Sequence, residues 1–171
     1  MTRALRGIGV EKAAIKWPND LQIGGAKLGG ILAEGCDLGS RHIAVVGIGV
    51  NLTGVPKSVN DRELASVAAA IYSDSDFYEL RSRLLSGYLR SLDELELLRD
   101  RAPEALLREY RSMLSTIGQE VMVEMGDGSL MGLAAGVDGQ GRLVLQTAEG
   151  ERAIASGDVV HLRPATAERK V

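Results

Sequence analysis

From Phe77 to Leu95 the apolar residues return every three or four positions, at Phe77, Leu80, Leu84, Tyr88, Leu92 and Leu95. That period predicts one long amphipathic helix folded onto a sheet. Ser73-Asp74-Ser75-Asp76 offers cap residues ahead of it. Asp61 to Tyr72 reads as an earlier helix, with Leu64, Ala65, Ala68 and Ile71 along one face. Pro103 suits the first turn of a later helix carrying Leu106, Leu107, Tyr110 and Leu114. The N-terminal part has another rhythm. Thr2 to Gly9 reads as the end of a helix, stopped by Gly7 and Gly9. Ala13 to Trp17 reads as a strand. Leu21 to Ile23 and Ala26 to Leu32 then read as the strands of a hairpin, with Pro18-Asn19-Asp20 and Gly24-Gly25 as turn signals. Gly35 to Ser40 reads as a turn. The run Ile43-Ala44-Val45-Val46 inside Arg41–Ile48 predicts a central strand buried on both faces. Leu52 to Asn60 reads as a loop around Pro56.

After Gly118 the character changes. Gln119–Met125, Ser129–Val137, Arg142–Thr147, Ala153–Ile154 and Val159–Leu162 read as short strands. Gly126-Asp127-Gly128, Asp138 to Gly141 and Glu149-Gly150 punctuate them as hairpin turns, a pattern that predicts a small barrel. The fold class is therefore α/β (α+β) followed by a small all-β unit. The boundaries are 1–116 for the first domain, 117–164 for the barrel and 165–171 for a polar tail. No internal repeat or low-complexity segment is visible.

Composition narrows the function classes. Of 171 residues, 20 are basic and 23 acidic, for a net charge of −3, which is no footprint for DNA or RNA. Aromatic residues make up 4%, too few for a surface that stacks single-stranded bases. No apolar run is long enough to span a bilayer, and no secretory signal is read at Met1–Arg6, so the expected setting is the cytoplasm. The sole cysteine, Cys36, rules out an intrachain disulfide and reads as incidental. His42 and His161 lie far apart without matching ligand spacing, so no metal site is assigned.

The chemistry concentrates in the hairpin. Lys27 is a point charge with three donors, suited to a phosphate or carboxylate. Gly29 and Gly30, lacking Cβ atoms, would let a ligand approach the backbone. A solvated lysine beside a turn is the plain alternative. Trp17, the only tryptophan, reads as a packing residue. Gly49 reads equally as a strand-end glycine or as a place where a nucleotide lies against the backbone.

Three ordered motifs sharpen this reading. They are Lys16-Trp17-Pro18-Asn19-Asp20, Lys27-Leu28-Gly29-Gly30-Ile31-Leu32 with Glu34, and Gly47-Ile48-Gly49-Val50-Asn51. Together they resemble the biotin protein ligases, the biotin–[acetyl-CoA-carboxylase] ligases, over about Ala4 to Arg163. The resemblance implies the biotin/lipoate-ligase-like catalytic fold with a C-terminal SH3-like barrel. It implies biotin and ATP as substrates, with magnesium, and a biotin carboxyl carrier domain of acetyl-CoA carboxylase as partner. Lys27 matches the lysine that contacts biotin's carboxyl oxygen and the adenylate. Asn51 matches the position on the adenosine part, with Gly29 and Gly30 beside the ligand. Lys16 and Asp20 match polar positions on the nucleotide side.

Two family features have no counterpart here. The Gly-Arg-Gly-Arg-x-Gly-Arg loop of the catalytic domain's earlier half is not found, and neither is the DNA-binding winged helix that some members carry. An N-terminally truncated chain, inactive alone, is therefore expected, with an exposed sheet edge open to self-association. The rival readings are a lipoate-protein ligase and a non-catalytic module that docks a carrier or partner.

Overall fold

The computed structural model describes residues 1–39, 41–59, 62–70, 77–126 and 128–161. The expected caps at 73–76 and the tail at 165–171 lie outside them. Helix α1 (Thr2–Gly7) leads into β1 (Ala13–Lys16), β2 (Asp20–Ile23), β3 (Ala26–Leu38) and β4 (Arg41–Val50). These strands form a four-stranded antiparallel sheet in chain order. The Gly24-Gly25 turn has φ of +57° and +91°, the left-handed conformations that a tight two-residue hairpin needs. Leu5, Leu21, Leu28, Val67 and Leu80 are fully buried in one core beneath this sheet. Each such leucine contributes about 1.5–3 kcal/mol by leaving water.

The chain continues through a small hairpin, β5 (Ser58–Val59) and β6 (Arg62–Glu63), then α2 (Val67–Ala70), α3 (Phe77–Arg101) and α4 (Pro103–Met113). Arg3 of α1 pairs with Glu109 of α4 and, at 2.9 Å, with Glu94 of α3, so one guanidinium ties three helices together. The second sheet contains β7 (Glu120–Met125), β8 (Gly128–Val137), β9 (Leu143–Thr147), β10 (Gly150–Ile154) and β11 (Asp158–His161). Its order is β10-β9-β8-β7-β11, all antiparallel. Among the described residues no ladder joins β10 to β11.

Trp17 joins the two sheets. It is 2% exposed and packs in the second sheet's core with Val121, Val123, Leu143 and Leu145. Its indole Nε1 donates to the Gly141 carbonyl at 3.0 Å. Residues after α4 run beside β1: Ser115 N donates to Ile15 O at 2.9 Å, and Trp17 N donates to Thr116 Oγ1 at 2.9 Å. The Tyr110 hydroxyl donates to Pro18 O at 3.2 Å, and burial pushes that phenol's pKa up. The expected packing role of Trp17 holds, but in the core of the other sheet.

Four expectations change. The apolar strand 41–48 is not buried on both faces. β4 is the last strand of its sheet, and Val45 and Val46 are 58% and 50% exposed. A β-branched run satisfies strand propensity whether or not anything covers it. Leu32, Leu38 and Ile43 are exposed on the same ribbon, which matches the expectation of a bare sheet edge. The turn expected at 35–40 is shorter, because β3 runs on to Leu38 in unbroken register with β4, and Gly39 turns at φ +64°. The helix expected at 61–72 starts later, because β6 takes Arg62–Glu63 and the helix α2 begins at Val67; residues 61, 71 and 72 lie outside the described residues. Ala65 N donates to Lys27 O at 2.8 Å, so this backbone is paired with the sheet and is not free to coil. Finally, α3 is covered only in part. Leu80 and Leu84 are buried against α1, while Phe77 and Leu92 stay exposed.

Candidate functional site

The irregular pairing of β2 and β3 sets the aim of Lys27. Leu21 pairs with Gly29 but Gln22 pairs with Lys27, so Leu28 is an extra residue in β3. Strict alternation would put Leu28 beside Asp20 and Lys27 on the opposite face. The bulge reverses this, as bulges re-aim side chains. Leu28 goes fully into the core, and Lys27 joins Asp20 and Gly30 on one face. Lys27 Nζ lies 2.6 Å from Asp20 Oδ1, with the two side chains 36% and 22% exposed.

Both carbonyls at the bulge have partners. Lys27 O accepts from Ala65 N at 2.8 Å and Leu28 O accepts from Asn51 N at 2.8 Å. Asn51 Nδ2 donates to Ala65 O at 3.1 Å and Lys27 O at 3.4 Å. The structure therefore places Asn51 behind the bulge, bracing the backbone that carries Lys27. Asn19 closes the other side: its Nδ2 donates to Ile31 O, while Ile31 N donates to Asn19 O at 3.0 Å.

The two glycines differ. A Cβ on Gly29 would stand 2.1 Å from the Gly49 carbonyl, so this glycine admits the backbone of β4. A Cβ on Gly30 would meet Asp20 Oδ1 at 3.3 Å and Lys27 Nζ at 3.8 Å, so this one borders the charged pair.

Lys16, Asp20 and Lys27 line one cavity of about 450 Å³. Gly24, Gly25, Arg62, Glu63, Val159 and Val160 also contribute to its wall. Sequence reading missed Arg62 because it lay within the expected helix, and only the β5–β6 hairpin carries it here. Arg62 Nη2 lies 2.6 Å from Asp158 Oδ2, which holds its guanidinium pKa above the usual value. Lys16 Nζ is 3.8 Å from Asp158 Oδ1. Three cations thus face one cavity, each opposite a carboxylate. Such an arrangement can receive an anion with several charged oxygens.

Residues 1–51 match the Biotin/lipoate A/B protein ligase family, and residues 116–162 match the Biotin protein ligase C terminal domain. The chain is 36% identical over 153 residues to the biotin–[acetyl-CoA-carboxylase] ligase of Mycobacterium tuberculosis, covering 89% of this chain and 54% of that protein. The chain belongs to the biotin protein ligase family. It is also 32% identical over 151 residues to the bifunctional ligase/repressor BirA of Escherichia coli, covering 85% of this chain and 45% of that one. A solved biotin protein ligase from Aquifex aeolicus, in complex with biotin and ATP, superposes with a TM-score of 0.73 at 25% identity. That match covers 95% of this chain and 67% of the Aquifex chain. The chain spans about half the length of the curated relatives it matches. Both parts expected from the motifs, the ligase sheet and the C-terminal β unit, therefore belong to the biotin protein ligase fold. Among the described residues, no helix is long and apolar enough to cross a membrane.

Proposed function

We propose that this chain is the second half of a biotin protein ligase catalytic domain, residues 1–116, with the C-terminal β domain at 117–164 and a tail at 165–171. The complete ligase joins the biotin carboxylate to the α-phosphorus of ATP. Biotinyl-adenylate forms and pyrophosphate leaves. A lysine amine of the carboxyl carrier domain of acetyl-CoA carboxylase then attacks the mixed anhydride, takes the biotinyl group and releases AMP. Negative charge gathers on the phosphate and anhydride oxygens in both steps, and a preorganised cation opposite that charge lowers the barrier.

The carrying observation is the bulge that turns Lys27 Nζ onto the cavity face beside Asp20, with Lys16 on the same wall. Lys27 is the catalytic cation, touching the biotin carboxyl and the adenylate. Lys16 and Asp20 serve the nucleotide side. Gly30 keeps the backbone close beside the Lys27–Asp20 pair, Gly29 makes room for β4, and Asn51 serves the adenosine side from the end of β4. Magnesium would enter with ATP, and Asp20 and Glu63 are the carboxylates on this wall. Among the described residues no three His, Cys, Asp or Glu side chains cluster. The setting is cytoplasmic, without membrane attachment, and the bare β4 edge favours pairing with a second copy.

Calorimetry of the chain with pre-formed biotinyl-adenylate tests the reading. Binding that is lost in Lys27→Ala supports it. Binding only to the carrier domain, with none to the adenylate, would make the chain a docking module. In a complete ligase, Lys27→Ala should cost about 3–4 kcal/mol of transition-state stabilisation, a loss of two to three orders of magnitude in adenylation. Retained adenylation would remove Lys27 from the chemistry. Competition between biotin and lipoate in that ligase separates the lipoate alternative, which the Lys16–Asp20 and Lys27–Leu32 motifs argue against.

A further inference from the structure

We propose that Arg62 is a third polyphosphate-binding cation of this cavity and that Asp158 occupies it whenever no anion is bound. The proposal deepens the anion-site reading above and rests on it. The two Asp158 oxygens divide the work: Oδ1 faces Lys16 Nζ at 3.8 Å and Oδ2 faces Arg62 Nη2 at 2.6 Å. The two cations come from segments far apart in the chain, β1 and β6. A phosphate bridging Lys16 and Arg62 would make the same pair of contacts. Asp158 is therefore an internal stand-in for the ligand.

The partners differ in how firmly they are mounted. Asp158 opens β11, where its backbone pairs with Glu124 of β7. Arg62 rides on a hairpin of two-residue strands. Its side chain is 56% exposed, whereas that of Lys16 is 20% exposed. Arg62 is thus the partner free to exchange. An exposed ion pair is weak, so leaving Asp158 costs little. A polyphosphate offers more charge than one carboxylate, and the guanidinium fork matches two phosphate oxygens at once. The exchange moves Arg62 from the C-terminal sheet to the ligand. Polyphosphate occupancy and the clasp between β6 and β11 therefore exclude one another.

The test is calorimetric titration of the full chain with inorganic pyrophosphate, without added metal, across five variants. Asp158→Asn should tighten binding by roughly two- to fivefold, the equivalent of one exposed ion pair. Arg62→Ala should weaken it, and Arg62→Lys should restore part of the loss. Arg62→Ala combined with Asp158→Asn should lose most of the gain. Binding that falls in Lys16→Ala but is unmoved by Arg62→Ala and Asp158→Asn would keep the anion site and overturn the role of Arg62. Pyrophosphate binding that no variant changes, or none at all in the parent chain and in Asp158→Asn, would overturn both.

Discussion

Trp17 carries the joint between the two sheets, and its removal is the most informative perturbation of this fold. The ring is 2% exposed among Leu114, Val121, Val123, Leu143 and Leu145. Truncating a buried Trp to Ala costs about 3–5 kcal/mol in lost transfer energy and cavity. The 3.0 Å bond to Gly141 O adds about 1 kcal/mol or less, since that carbonyl lies in a turn where water can replace the indole. The expected total for Trp17→Ala is about 4 kcal/mol, a large share of the 5–15 kcal/mol typical of a domain. Trp17→Phe keeps a ring in place and should cost about 1–2 kcal/mol. Urea unfolding followed by far-ultraviolet circular dichroism measures both variants. Trp17 is the only tryptophan, so native emission reports this joint alone. It should lie at short wavelength, resist acrylamide, and shift as the sheets separate. A cost below about 1 kcal/mol for Trp17→Ala, or native emission of a water-exposed indole, would refute the view that Trp17 joins the two sheets.

Three further outcomes are expected. Gly29→Ala places a Cβ 2.1 Å from the Gly49 carbonyl; pushing β4 aside should cost about 1–3 kcal/mol, whereas Gly25→Ala meets no atom but strains the turn at φ +91°. Crystallography or amide exchange at β4 would show whether the Gly29 effect is local to that strand. Glu109 is held below its usual carboxylate pKa by hydrogen bonding to Arg3, so its folded form binds protons less readily than its unfolded form. Its contribution is present above the unfolded pKa and fades as pH falls through the lowered folded value. Glu109→Gln should therefore be less stable than the parent by about 1 kcal/mol at neutral pH, and the gap should close in acid when denaturation midpoints are compared. Ile43 and Val45 lie on the exposed ribbon; replacing both with lysine should abolish any concentration-dependent rise in apparent mass on size exclusion, and an unchanged elution profile would mean that the ribbon is not the contact.

Much of the architecture was legible from patterning. The Gly24-Gly25 turn, the five C-terminal strands and α4 after Pro103 appear where local residue chemistry puts them, because tight turns and helix starts depend on only a few adjacent residues. The three motifs also marked Lys16, Asp20 and Lys27, which meet in one cavity. What sequence alone could not determine depends on register and on distant partners. A one-residue bulge decides which face Lys27 occupies, and no composition or period records it. Arg62 and Asp158 are ninety-six residues apart and meet only because a short hairpin and the last described strand converge. The run at 43–46 shows the converse limit. Its residues select an extended backbone locally, but burial is a property of neighbours, and the fourth strand of this sheet has none on its outer side among the described residues.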